Sequence, residues 1–192
     1  MNIRKVLSSK AVKLLTLLLT SMFIASASAA VYYSISMEPT VTITEAPVQF
    51  AQGSDWSHVA GSIGTNNTWC SLSLKAYPNA TLTYEQPLNI SNTVGTSKNI
   101  KLRHISINPA SGDTSVSNFT FIKFVLMDAS GNPVSGGSFN YTTSGDTWNI
   151  PSMSYKTISA STEWTVRIET KAAAGATKDI AASIVIAVDV QE

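Results

Sequence analysis

The 192-residue sequence predicts an all-β fold, a jelly-roll-type β-sandwich, on three observations. From residue 30 onward the chain is rich in Ser, Thr, Val, Ile and aromatic residues, and only 13% of all residues are charged. Apolar side chains recur with a period of two, and no segment there sustains a period of 3.6. Clusters of Gly, Pro, Asn, Asp and Ser interrupt these runs at short intervals.

The first 29 residues follow a different rule. Arg4, Lys5, Lys10 and Lys13 precede an apolar run from Leu14 to Ala25, and Ala27-Ser28-Ala29 has the small-residue spacing of a leader cleavage site. Residues 1–29 are therefore expected to be a signal peptide, and the chain a secreted one. An apolar run of about 12 residues falls short of the ~20 that span a bilayer, so no stable membrane anchor is expected after cleavage. Two alternatives stand beside this reading: an uncleaved anchor, and a type IV pilin processed near Lys10-Ala11-Val12-Lys13. The second would place Lys13 where its apolar helix should begin.

Residues 30–39 form a segment of their own. Val31, Tyr33, Ile35 and Met37 occupy one parity, and Ser34, Ser36 and Glu38 the other. Beyond Pro39 the alternation resumes with Val41 and Ile43. As a single ribbon, residues 31–43 would extend ~43 Å at ~3.3 Å per residue. Pro39 is the natural break, because it cannot donate to a ladder. Residues 31–38 would then pair on the edge of their own sandwich, or project into a groove of another copy.

Residues 40–192 are expected to form one sandwich of eight to ten strands. Leu72 and Leu74 alternate with Ser71, Ser73 and Lys75. Ile100 and Leu102 share one parity but Ile105 and Ile107 the other, which predicts a bulge near Arg103 or His104. Phe119 to Met127 is apolar on both parities, as a central strand would be. Asp128 to Pro133 reads as a hairpin connection and Ser135-Gly136-Gly137 as a further break. Trp164, Val166 and Ile168 form a one-sided set, as do Ile184, Ile186, Val188 and Val190.

Residues that usually carry chemistry are sparse. His58 and His104 are the two histidines, and neither has ligand-type neighbours at metal spacing. No Gly-x-Ser-x-Gly elbow or phosphate-binding glycine loop occurs. Asp128, Ser130 and Asn132 alternate across a turn, a pattern that serves Ca²⁺ or, more simply, an Asx-turn. Cys70 is the one cysteine, so the monomer holds no disulfide, and its apolar neighbours predict a partly buried thiol. No catalytic residue, metal site or cofactor is expected, and the protein is not read as an enzyme. Of the 13 Lys and Arg, four lie in residues 1–29, which leaves nine against 12 Asp and Glu. A mildly acidic chain without a basic cluster is not expected to bind nucleic acid.

Five Asn-x-Ser/Thr sequons, at Asn66, Asn79, Asn89, Asn118 and Asn140, are candidate N-glycosylation sites in a secreted chain. Turn or strand-end signals favour Asn66, Asn79 and Asn89, while Asn118 adjoins the most apolar strand.

Several stretches carry a resemblance. Val31 to Met37, Val48-Gln49-Phe50 with Gly53-Ser54-Asp55, Ile63 to Asn66, and Leu74 to Tyr84 resemble secreted crenarchaeal filament subunits. Mainly over residues 30–107, the chain looks like the archaeal bundling pilins, a group similar in fold to the TasA/camelysin matrix-fibre proteins of bacteria. The resemblance implies a jelly-roll subunit that polymerises by donor-strand complementation, with Val31, Tyr33, Ile35 and Met37 as the donor residues. It further implies a homopolymer built by heterologous strand exchange, and bundles of neighbouring filaments that hold cells together in biofilm-like aggregates. The other reading is a monomeric cell-surface sandwich that packs in a surface layer or binds carbohydrate on Trp56 or Trp148.

Overall fold

Among the described residues, period two becomes eleven strands in two antiparallel sheets. The computed structural model describes residues 10–27, 44–177 and 181–191. The chain divides into two units, Met1–Ile43 and Thr44–Glu192. In the first, the described residues form one helix, α1 (Lys10–Ala27), whose Thr16 and Thr20 hydroxyls bond back to the preceding turn. No helix among the described residues is long and apolar enough to cross a membrane.

In the second unit the strands are β1 (Val48–Gln52), β2 (Ala60–Ile63), β3 (Trp69–Leu74), β4 (Thr81–Asn92), β5 (Lys98–Asn108) and β6 (Phe119–Met127). They continue with β7 (Pro133–Ser144), β8 (Thr147–Asn149), β9 (Lys156–Ile158), β10 (Glu163–Ala172) and β11 (Ala182–Gln191). One sheet has the order β1-β4-β10-β6-β7-β8 and the other β2-β3-β11-β5-β9. The expected eight to ten strands become eleven because β8 and β9 are three residues each, too short to show a period.

The inner faces build one core. Trp164, Val166 and Ile168 of β10 meet Leu88 and Ile90 of β4, and across the sandwich Leu72, Leu74, Ile184 and Ile186 are fully covered. Strand β6 is central in its sheet, and Phe124, Val125 and Leu126 are all buried, as its two-sided apolar pattern requires. Phe124, Phe139, Tyr141 and Trp148 stack edge to face with centroids 5.5–6.3 Å apart, a favourable aromatic geometry.

Three details differ from the sequence expectation. The bulge in β5 falls at Ile105: Val185 faces Ser106 and Ile186 faces His104, so Ile105 has no opposite number on β11. Ser135-Gly136-Gly137 does not break the chain. Strand β7 runs through it and absorbs the extra residues as a bulge, with Gly136 at φ 63° and Gly137 pressed against Leu126. Cys70 is wholly buried, because it alternates inward between β2 and β11, and burial pushes its thiol up to about 12.

Polar side chains close the irregular places. At Pro87, strand β4 bulges so that residues 85–87 oppose Arg167 alone. The two amides this frees, Glu85 N and Gln86 N, donate to Asp55 Oδ2 at 2.9 and 3.0 Å. Buried Asn92 donates to Thr96 O and Ser159 O, both at 2.9 Å, and ties two loops to the end of β4. The Asp128 turn is an Asx-turn: Oδ1 accepts from Ser130 N and Asn132 N, each at 2.9 Å.

Candidate strand-acceptor site

A sandwich has four sheet edges, and each exposes backbone donors and acceptors unless something covers them. Two are met locally, and a third is short. On β1, Phe50 N donates to Asn67 O at 2.7 Å, so the β2–β3 loop lies along that edge. On β8, Trp148 N donates to Ser111 Oγ at 3.1 Å. The β2 edge is four residues long, and the Trp56 ring packs over the face of the strand at Gly61.

The fourth edge is different. Strand β9 pairs with β5 only at Lys98, Asn99 and Ile100, whereas β5 runs on to Asn108 against β11. Past Ile100, no strand among the described residues covers the outer side of β5. The chain between β8 and β9, residues 150–155, passes here without joining a ladder. Its link to the edge is a hydrogen bond from Leu102 N to the Met153 thioether, 3.4 Å long. Sulfur is a weak acceptor, so a ladder amide holds a poor substitute for a carbonyl.

Beside this edge lies a cleft of about 240 Å³, walled by Leu102, Phe139, Ile150, Pro151 and Met153. Ile105, Ile150 and Tyr155 are 45, 47 and 39% exposed, three of the five large apolar side chains exposed among the described residues of the sandwich. The rim is basic. Lys101 lies 4.8 Å from the Tyr155 ring centre, and Arg103 Nε bonds Asp189 at 2.8 Å. One carboxylate between two cations leaves the rim with net positive charge.

His104, also on the wall, sends Nδ1 to within 3.0 Å of the Tyr141 hydroxyl. Partial burial lowers the imidazole pKa, and deeper burial raises that of the phenol, so both groups are neutral at neutral pH. The pair anchors β5 to β7; no group of three or more His, Cys, Asp or Glu suited to a metal occurs among the described residues.

A larger cleft, about 440 Å³, opens elsewhere between Ala76–Pro78, Phe119 and Ala176–Thr177. Its backbone is already engaged. Ala172 N donates to Tyr77 O, Ala173 N to Asn118 O, and Thr177 N to Asn118 Oδ1 at 2.6 Å.

The expected donor residues Val31, Tyr33, Ile35 and Met37 lie outside the described residues. The sequons fall into two groups. Asn66, Asn79 and Asn140 are exposed. Asn89 is 7% exposed, and its Nδ2 donates to Glu163 at 2.8 Å. Asn118 Nδ2 donates to Ser115 O at 3.0 Å. Trp148 is buried, with Nε1 on Pro109 O, and Trp56 is partly buried against the core. Sequence reasoning missed the segment 150–155, whose single apolar residues among Pro and Ser carry no period. No protein-family model and no curated protein matches this chain.

Proposed function

We propose that this protein is the structural subunit of an extracellular filament, polymerising as each copy lends its residues 31–37 to a sheet edge of the next. The single observation that carries this reading is the unequal treatment of the sheet edges. The β1 and β8 edges are met by Asn67 and Ser111 and the β2 edge is four residues long, while β5 presents unpaired backbone beside an apolar cleft in a chain that also carries an alternating segment ahead of β1. Strand addition supplies main-chain hydrogen bonds, and alternate side chains fill the groove. Burying Val31, Tyr33, Ile35 and Met37 at ~1.5–3 kcal/mol each gives a gross gain of several kcal/mol before ordering costs. Giver and receiver surfaces differ, so the contact is heterologous and propagates as a filament.

On this reading residues 1–29 are removed on export and the subunit works at the cell surface. The filaments bundle and hold cells together, as the resemblance to the bundling pilins implies. Glycans would sit on Asn66, Asn79 and Asn140, whose side chains are exposed, and not on Asn89 or Asn118, whose amides hold the fold. The alternative, a monomeric surface module that binds carbohydrate or packs in a surface layer, is less favoured, because Trp148 is buried and Trp56 partly so.

The test is electron microscopy of the exported full chain beside Ile35→Asp. The native chain should form filaments and the variant only monomers with an unchanged far-ultraviolet spectrum. Filaments from Ile35→Asp, or monomers from the native chain at every concentration, would sink the proposal.

A further inference from the structure

We infer that the acceptor is the outer edge of β5 from Leu102 to Ile107, that its occupant is Val31–Met37 of a second copy, and that the incoming strand takes the place of residues 150–155. This rests on the filament reading and specifies its interface.

Length is the first argument. The six residues Leu102 to Ile107, past the last β9 pair, extend ~20 Å, and the seven residues Val31–Met37 extend ~23 Å, so one covers the other. Pro39 then ends the pairing, because it has no amide to give.

Chemistry is the second. With residues 150–155 displaced, the apolar Leu102 and Phe139 they covered suit a row of Val, Tyr, Ile and Met side chains, while Ser34 and Ser36 face water. Residues 31–43 contain one acid, Glu38, and no cation, and the rim they would meet carries Lys101 and Arg103 against Asp189 alone. The signs are complementary.

The third argument concerns what must move. Residues 150–155 make no backbone-to-backbone hydrogen bond among the described residues, and Pro151 can donate none. They are tied to β5 by the Met153 sulfur and by the stacking of Lys101 on Tyr155. Exchanging a thioether acceptor for a donor-strand carbonyl strengthens the bond at Leu102 N. Residues 150–155 thus act as a placeholder that shields the edge until a neighbour arrives, which limits unplanned edge pairing.

A second copy is the occupant because the filament reading, on which this inference rests, has each copy give its segment to the next.

The experiment mixes two populations of full chain, one Ile35→Cys and the other Ile105→Cys, and treats them with a short bis-maleimide. Cys70 is fully buried with its thiol pushed up to about 12, so it does not compete. Cross-linked dimers should appear in this mixture and be at least tenfold weaker with Tyr77→Cys as the receiving chain. Dimers with Tyr77→Cys and none with Ile105→Cys would overturn the β5 assignment while leaving strand donation standing. A chain carrying both cysteines that links only within itself would overturn the second-copy occupant. Native chain that never forms filaments would fail the filament reading itself, which separates the two failures.

Discussion

Two clefts of this sandwich are apolar, yet they differ in what their backbone is doing. Around Tyr77 the cleft is the larger, about 440 Å³, and every nearby strand end is tied by a carbonyl or by Asn118. Along β5 the cleft is about 240 Å³, but a ladder amide there rests on sulfur. Size and greasiness suit the first to hold a side chain. Only the second offers the main-chain groups that a strand needs. An acceptor for a strand is thus recognised by unfinished hydrogen bonding more than by volume.

The sharpest way to break that contrast is to charge each cleft in turn. Ile105→Lys places a cation on the exposed edge position of β5, and should slow polymerisation by roughly tenfold or more, since burying it costs above 1.4 kcal/mol. Tyr77→Ser should leave the assembly rate unchanged. Light scattering of the two variants side by side decides the matter, and equal loss in both would erase the distinction.

A smaller effect is expected from untying the closed cleft. Asn118→Ala removes the acceptor of Thr177 N and the donor to Ser115 O, costing about 1 kcal/mol in chemical denaturation. Filament yield should not change, because those bonds serve the fold and not the acceptor edge. Met153→Leu sharpens the opposite side. The swap conserves volume and removes only the sulfur acceptor, so the monomer should lose less than ~1 kcal/mol while the lag before polymerisation shortens. An unchanged lag would mean that Met153 does not guard the edge.

The least effect is the pH dependence of the wall itself. Burial holds the folded-state pKa of His104 below its unfolded value. The unfolded chain therefore binds the proton more readily, and stability rises with pH through the window just under the ordinary histidine value near 6.5. Thermal melts should show a modest loss as pH falls through that window. His104→Phe should flatten that part of the profile; a slope that survives the substitution would assign it to other groups.

Much of the fold was legible before any coordinates. Trp164, Val166 and Ile168, or Ile184 and Ile186, declare their buried face because side chains alternate across a strand and water enforces the choice. The two-sided run Phe119 to Met127 declared a central strand for the same reason. The bulge in β5 was visible as a change of parity between Leu102 and Ile105, although its position was off by a residue, since parity marks the two flanks and not the residue that slips. Ser135-Gly136-Gly137 misled because glycines serve bulges and turns alike, and the neighbouring strand selects between them.

The site was less legible. Sequence alone determined that residues 31–43 alternate, that the chain is strand-rich and poor in charge, and that chemistry-bearing residues are few. Those are properties of side chains in order along the chain. Which edge would be left open is not such a property. It depends on β9 stopping opposite Ile100, on Asn67 and Ser111 reaching two other edges, and on Met153 arriving beside Leu102 from 51 positions away. Backbone groups are identical at every residue, so the pattern of side chains cannot say which of them will find a partner. Only the packed sheets decide that.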